Sequence, residues 1–417
     1  MRSQLAWLGV VLCFACTGKR ERSEGETASV TVEQPADPRT PDQEPDAGPR
    51  EPPRKHLLVL AHEPSAARAI LRPVELDRAE PRVGEALEIP TLPYENWPDH
   101  FRVIAAHGGG DEFVVAHDEA LQLRRVSDES SVEVELGGTA AALHMVGDRV
   151  FVGQGNRVLL VDFGASPAKL RELRHRPEMR FKAYDLFAHD GGWLIAIDDV
   201  VTPIFADSFE LRDGEVQHRA GFELPGAING HYQYALLHAR GPGLGTLYAI
   251  IPYGIMSGSG HDLVALPMRD AAPTIDTASL IVNGGGKNGI PVLEEHVPRG
   301  RGEPQLLAGD RFTAWTGLAR VEAEGGGRLL IAAGERGLLT LADDFDGSSR
   351  PIELDIGGSC LDVFSEGARV FVLRGPLELA AEQPLAAKLV ELSIGDDGAA
   401  TTIATIELDG PYRSIVR

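Results

Sequence analysis

The residue types able to do chemistry in this chain are few and mostly scattered. Ser257, Ser259, His261 and Asp262 crowd one stretch, Gly254 to Asp262, and include the nucleophile, base and acid of an acyl-transfer site. Such groups normally converge from separated elements, and no G-x-S-x-G turn presents a serine, so the stretch reads as a loop. Asp344, Asp346, Gly347 and Glu353 fall at positions 3, 5, 6 and 12 of a calcium-binding loop, but Ala342 stands where the first carboxylate belongs. A polar turn is the reading there. No cofactor is predicted, and Ca²⁺ at this turn is the one weak candidate. Gly284-Gly285-Gly286-Lys287-Asn288-Gly289 lacks the Gly-Lys-Ser/Thr order of a phosphate loop. The 13 histidines include no H-x-x-x-H pair and no Cys/His cluster. His107 and His117 flank one Gly-rich turn and could face each other across it, but a lone pair of this kind reads as surface or satisfied core. Of 3 cysteines, only Cys360 lies outside the N-terminal region, which excludes a disulfide scaffold. Cys360 reads as a buried, inert thiol at the start of a strand.

The other two cysteines close the N-terminal apolar run. A single basic residue, Arg2, precedes Leu5 to Ala15. A charged start, an apolar stretch and a small residue before the cut describe a secretory signal peptide. The run is well short of the ~20 residues that cross a bilayer as a helix. Phe14-Ala15-Cys16-Thr17 resembles the lipobox of bacterial lipoproteins, with Cys13 where that family prefers Leu. The resemblance implies a signal peptide over 1–15, a thioether-linked lipid on Cys16, export, and attachment to a membrane through that lipid. Thr17 in place of Asp implies, by the sorting rule of Gram-negative lipoproteins, the outer membrane. The implied location is the bacterial cell envelope, facing the periplasm or the surface.

Residues 16–55 then form a tether. Seven prolines lie between Pro35 and Pro53 among Glu, Asp, Arg, Ser and Thr, with almost nothing apolar. Such a segment cannot offset its ordering entropy, and proline keeps it extended. Of the formal charge of -22, residues 1–16 carry +1 and residues 17–55 carry -2, leaving -21 from His56 onward. That balance excludes nucleic acid and an anionic membrane surface as partners, since both demand basic patches.

From His56 to Arg417 short apolar runs recur, separated by Gly- or Asp-rich turns. Val103–Ala106 leads to Phe113–Ala116, Ala142–Val146 to Val150–Val152, Tyr184–Phe187 to Trp193–Ala196, Tyr234–Leu237 to Leu247–Ile250, and Leu361–Phe364 to Val370–Val372; Gly325-Gly326-Gly327 precedes Leu329–Ala332. These are hairpins of buried strands. Matching positions recur at 37, 43, 53, 82 and 41 residues, and a period near 40 with four strands per unit is the spacing of propeller blades. The 82-residue interval holds either an insertion around Asn283 to Leu306 or a degenerate extra blade. Leu377 to Leu389, the best helix candidate, contains Pro384 and reads as a loop. The predicted fold is all-β: one β-propeller over 56–417 of about seven four-stranded blades, closed by pairing of Tyr412–Arg417 with Leu57–Leu60. Asn156–Asp162, after Gly147–Val152, resembles the repeat of secreted bacterial propellers with an LVIVD-type signature. That resemblance implies a fold and no chemistry. WD-type signatures are absent from most units.

Gly109-Gly110-Asp111-Glu112-Phe113 spells the signature of diguanylate cyclases. In that family the pentapeptide belongs to an α/β domain, whereas strand-like runs surround it here, so a hairpin turn explains the string. A ligand site on a propeller falls at the mouth of its channel. The richest loop chemistry for one is His231, Tyr232, Tyr253 and His261. The expected role is a lipid-anchored binding or scaffolding module with envelope proteins as partners and an unassigned small-molecule ligand. The alternative is a propeller enzyme (a hydrolase, lyase or quinone-dependent oxidoreductase) working at the channel mouth; no convergent catalytic set is legible.

Overall fold

The computed structural model describes residues 56–63, 68–76, 81–90, 103–107, 111–117, 119–127, 130–175, 184–190, 193–198, 204–212, 215–224, 235–239, 246–255, 258–269, 272–273, 279–283, 305–306, 315–323, 326–333, 337–342, 352–375 and 386–416. Cys16 and the tether lie outside the described residues. The chain divides into Met1–Asp46 and Ala47–Arg417, and the second unit carries every element described below.

That unit is all-β, with no helix among the described residues. Its described strands form seven sheets, taken here in chain order. The first contains β1 (His56–Glu63), β2 (Arg68–Glu75), β3 (Arg82–Val83) and β4 (Leu87–Pro90); the second β5 (Val103–His107), β6 (Glu112–His117), β7 (Ala120–Arg125) and β8 (Ser131–Glu135). The third contains β9 (Ala142–Val146), β10 (Arg149–Gln154), β11 (Arg157–Asp162) and β12 (Lys169–His175), and the fourth β13 (Tyr184–Asp190), β14 (Trp193–Asp198), β15 (Ile204–Arg212) and β16 (Glu215–Leu224). The fifth contains β17 (Ala235–Ala239), β18 (Thr246–Ile255), β19 (Gly258–Arg269), β20 (Ala272–Pro273), β21 (Ser279–Asn283) and β22 (Gln305–Leu306). The sixth contains β23 (Trp315–Ala323), β24 (Gly326–Ala333), β25 (Gly337–Ala342) and β26 (Ile352–Leu354), and the seventh β27 (Cys360–Glu366), β28 (Arg369–Arg374), β29 (Ala387–Ile394) and β30 (Ala400–Leu408). The last strand, β31 (Tyr412–Val416), returns to the first sheet and pairs antiparallel with β1, with Leu58 opposite Val416 and Val59 opposite Ile415.

Tight turns fix the registers. Val146 pairs with Arg149 across Gly147-Asp148, and Gln154 pairs with Arg157 across Gly155-Asn156. Gly147 and Gly155 have φ of 55° and 53°, the left-handed values that two-residue hairpins require and that a Cβ opposes.

In the first, second, third and seventh sheets the strands read as continuous apolar runs because both faces are covered. Successive residues alternate faces, and each face belongs to a different core. Val114 and Ala116 pack with Val150 and Val152 of the third sheet, while Phe113 and Val115 pack with Leu58 and Leu60 of the first. Phe151 joins Leu194 and Phe209 of the fourth sheet. Val370 and Val372 face Ala319 and Val321 of the sixth sheet, and Phe371 and Leu373 face Leu57 and Val59 of the first. Burying such a side chain is worth ~1.5–3 kcal/mol, so these four sheets are held mainly by their two neighbours.

The strand leading each sheet also touches its counterpart in the next: β5 with β9, β9 with β13, β13 with β17, β17 with β23, β23 with β27, β27 with β31, and β31 with β5. These strands have one edge without a ladder partner, and side chains cover part of it. Ile415 N donates to Asp362 Oδ2 at 2.8 Å, and the Ser365 hydroxyl donates to the Arg320 carbonyl. A carboxylate and a hydroxyl thereby bind β27 to the leading strands on both sides, answering the edge problem of an open sheet.

Three expectations change. Gly254–Asp262 is not a loop, since only residues 256–257 interrupt β18 and β19. Ala387–Leu389 opens β29 rather than continuing a loop, while residues 376–385 lie outside the description. The 82-residue interval holds no extra sheet among the described residues: β21 and β22 pair in parallel within the fifth sheet. The first and fifth sheets therefore exceed four strands.

Candidate functional site

In an antiparallel sheet the connection into the first strand and the connection between the second and third strands lie at the same end. At that end of the fifth sheet the hairpin outgrows its neighbours. β17 pairs with β18 only as far as Ala235 opposite Ile250, and β21 meets β19 only from Leu263. Beyond them five pairs continue, from Ile251 opposite Asp262 to Ile255 opposite Gly258. Among the described strands nothing else pairs with these residues. The result is a two-stranded ribbon projecting about 16 Å at ~3.3 Å per residue.

In register, Tyr253 stands opposite Gly260 and His261 opposite Pro252, so the two are diagonal neighbours. His231 and Tyr232 lie outside the described residues, in the connection 225–234 that enters β17 at this same end. Residues 225–234 and 251–262 contain one formal charge, Asp262, in a chain that is 24% charged. Tyr, Gly, Ser, Asn and His dominate both stretches, the composition of loops that bind by rigid aromatic contact and adaptable hydrogen bonds.

The other chemical candidates resolve into structure. In Asp111-Glu112-Phe113, Asp111 accepts a hydrogen bond from Ser127, Glu112 pairs with Arg125 at 2.8 Å, and Phe113 is fully buried. These carboxylates tie one turn to β7, and residues 108–110 lie outside the description. His107 and His117 do not face each other: His107 opposes Phe113 and His117 opposes Val103, at opposite ends of the β5–β6 pair. Glu353 lies in β26 opposite Leu339, and residues 344–347 are not described. Cys360 is buried, and that burial, reinforced by Asp362 and opposed by Arg374, pushes its thiol up to about 12. It is not a nucleophile at neutral pH. Among the described residues no group of three or more His, Cys, Asp or Glu is placed to hold a metal ion.

Sequence reasoning missed two ionic arrangements. Asp207 on β15 is fully buried, with His218 Nε2 on β16 at 2.8 Å and Arg174 Nε on β12 at 3.4 Å. This cluster joins the third and fourth sheets at their outer strands. Asp362 is also buried and accepts from the backbone of Val363 and Ile415, each at 2.8 Å. No spacing motif signals either one, because Arg174 and Ile415 come from sheets other than those of Asp207 and Asp362.

Antiparallel sheets packed face to face, with alternate side chains shared between the sheets whose cores are described, are the arrangement of a β-propeller-type protein. No protein-family model and no curated protein matches the chain. Its backbone is similar to that of Kluyveromyces lactis Hsv2p, at 8% identity and a TM-score of 0.46, covering 84% of this chain and 98% of the other. It is also similar to a hypothetical selenium-binding protein from Sulfolobus tokodaii, at 10% identity and a TM-score of 0.45, covering 88% and 93%. A third similar structure is the dihydro-heme d1 dehydrogenase NirN, at 12% identity and a TM-score of 0.45, covering 88% and 76%.

Proposed function

We propose that this chain is an exported, lipid-anchored β-propeller of seven blades that serves as a binding or scaffolding module of the bacterial cell envelope. The circular order of contacts from β5 through β27 to β31 supports seven blades, and the β1–β31 pairing supports closure. The apolar run ending at Cys16 supports the address, and the proline-rich tether would hold the domain away from the membrane. The observation that carries the binding role is the β18–β19 ribbon, a Tyr- and Gly-bearing extension whose one formal charge is Asp262, on a body of charge -21. An isolated two-stranded ribbon is marginal in water, and docking to a partner would supply the contacts it lacks.

Two measurements test the reading. Cells expressing the full chain are labelled with a palmitate analogue, comparing wild type with Cys16→Ala. Label in the wild type alone is expected, and equal label in both refutes the anchor. A photo-crosslinking residue in place of Tyr253 is expected to capture a defined envelope protein, and one in place of exposed Ile403 is not. Capture by Ile403 alone, or by neither, refutes the ribbon as the docking element.

A further inference from the structure

The outer strands of the second and third sheets carry opposite charge. β8 reads Ser131-Val132-Glu133-Val134-Glu135, with two carboxylates and no base. β12 reads Lys169-Leu170-Arg171-Glu172-Leu173-Arg174-His175, with Lys169, Arg171 and Arg174 against the single carboxylate of Glu172, on a body of charge -21. Arg174 is engaged by Asp207. Among the described residues no ion pair engages Glu133, Lys169 or Arg171, and Glu133 accepts a hydrogen bond from Gln122 at 2.8 Å. Among the described strands each of the two pairs on one side only, β8 with β7 and β12 with β11. Each therefore offers a row of backbone N–H and C=O groups to an incoming strand.

Both strands also expose a large apolar side chain: Val132 is 51% exposed and Leu170 44%. Val132 stands opposite Leu123, and Leu170 opposite Val161. Leu123 and Val161 pack in the core between the second and third sheets, and directly opposed residues share a face. Val132 and Leu170 thus lie on the two surfaces of one interface, at its outer rim. Glu133, opposite Gln122, and Arg171, opposite Leu160, occupy the other two faces. An exposed apolar residue on an open edge invites pairing, and charge restricts the choice. β8 against β8 would bring carboxylates together, and β12 against β12 would bring bases together, both unfavourable across a ladder. Only the unlike combination is matched.

We propose that this rim is a self-association surface, at which β8 of one copy adds to β12 of a second copy and β12 of the first adds to β8 of the second. Both halves of the charge match belong to this chain, so the occupant is another copy of it. The two strands sit on sheets that share a core, which makes the patch self-complementary, and one two-fold axis satisfies both pairings. Setting Val132 beside Leu170 puts Glu133 beside Arg171 in a parallel ladder and beside Lys169 in an antiparallel one, a base in either case. Repulsion between two acidic bodies is largely screened beyond ~8 Å at physiological salt, whereas side chains paired across adjacent strands lie ~5 Å apart. The surface is independent of the ribbon and of the lipid anchor.

The test is sedimentation of the full chain bearing Cys16→Ala, in mild detergent at physiological salt, over a concentration series. A dimer in equilibrium with monomer is expected. Glu133→Arg should weaken it about tenfold, because each dimer holds two such pairs, and Lys169→Glu/Arg171→Glu should weaken it at least as much. The two impaired variants, mixed, should associate with the affinity of the unreversed chain, since every reversed strand then meets its complement. Loss of fold cannot give that recovery, and thermal melting of each variant checks it separately. Ile403→Lys, on β30, should leave association unchanged. A monomer at all concentrations, a dimer indifferent to Glu133→Arg, or impaired variants that stay apart when mixed overturns the proposal. So does an equal loss in Ile403→Lys.

Discussion

The third and fifth sheets show two ways of using the same hairpin. In the third, residues 142–175 make four strands, the first three joined through two-residue turns at Gly147 and Gly155, and both faces are occupied: Val150 and Val152 serve one neighbour, Phe151 and Leu160 the other. In the fifth, residues 235–306 make six strands, and the central pair runs five residues past the strands on either side. The first arrangement commits nearly every apolar residue to stability. The second leaves a backbone ribbon whose residues owe nothing to a neighbouring ladder. In a fold held by sheet-to-sheet cores, strands that outrun their neighbours are left without the ladders that stabilise the rest.

That contrast predicts a gradient of effects. Deleting Tyr412–Arg417 should be the most severe change, because Tyr412, Ile415 and Val416 are buried and β1 loses its ladder partner. Three such side chains carry about 5 kcal/mol or more, comparable with the whole stability of a domain. Loss of cooperative unfolding by calorimetry is expected, and a folded product would disprove the role given to β31. Next, Phe151→Ala should cost about 3–5 kcal/mol in denaturant titration, since the ring is fully buried between two sheets. A cost under ~1 kcal/mol would mean that the third sheet is no more committed than the fifth.

Asp362→Ala should cost about 1.5–3 kcal/mol, because the buried Ile415 N–H loses its acceptor. Asp362→Asn should recover part of that loss. Cys360 tests the dryness of the same seam. Its thiol stays protonated up to about 12 in the fold but ionises from 9.0 when unfolded. The folded protein therefore loses relative stability as pH rises from about 9 to about 12, and Cys360→Ala should flatten that decline. Alkylation of native Cys360 at pH 8 would contradict this burial. Smallest of all, Tyr253→Ala on the ribbon should change stability by less than ~0.5 kcal/mol while weakening partner capture. A large loss of stability there would show that the ribbon is structural.

The hairpins were legible because β-branched runs and turn glycines are local signals. Val150–Val152 and Val158–Val161 announce strands from their own composition, and Gly147 and Gly155 announce the turns between them. The ribbon was misread as a loop because Gly254, Gly258 and Gly260 disfavour strands in isolation; the ladder extending from Thr246–Ile250 carries them into pairing all the same. The placing of His107 and His117 was not legible because register, which sequence proximity does not reveal, puts them at opposite ends of one pair.

Composition and periodicity alone determined an all-β body of repeated hairpins, its strong negative charge and the lack of a disulfide scaffold, since these depend on residue type and near neighbours. Tertiary structure alone decided that Asp362 meets Ile415 and that Asp207 lies between His218 and Arg174. Those outcomes depend on which sheets stack and at what height. Stacking is set by the summed fit of whole apolar faces, a quantity that no short stretch of sequence contains.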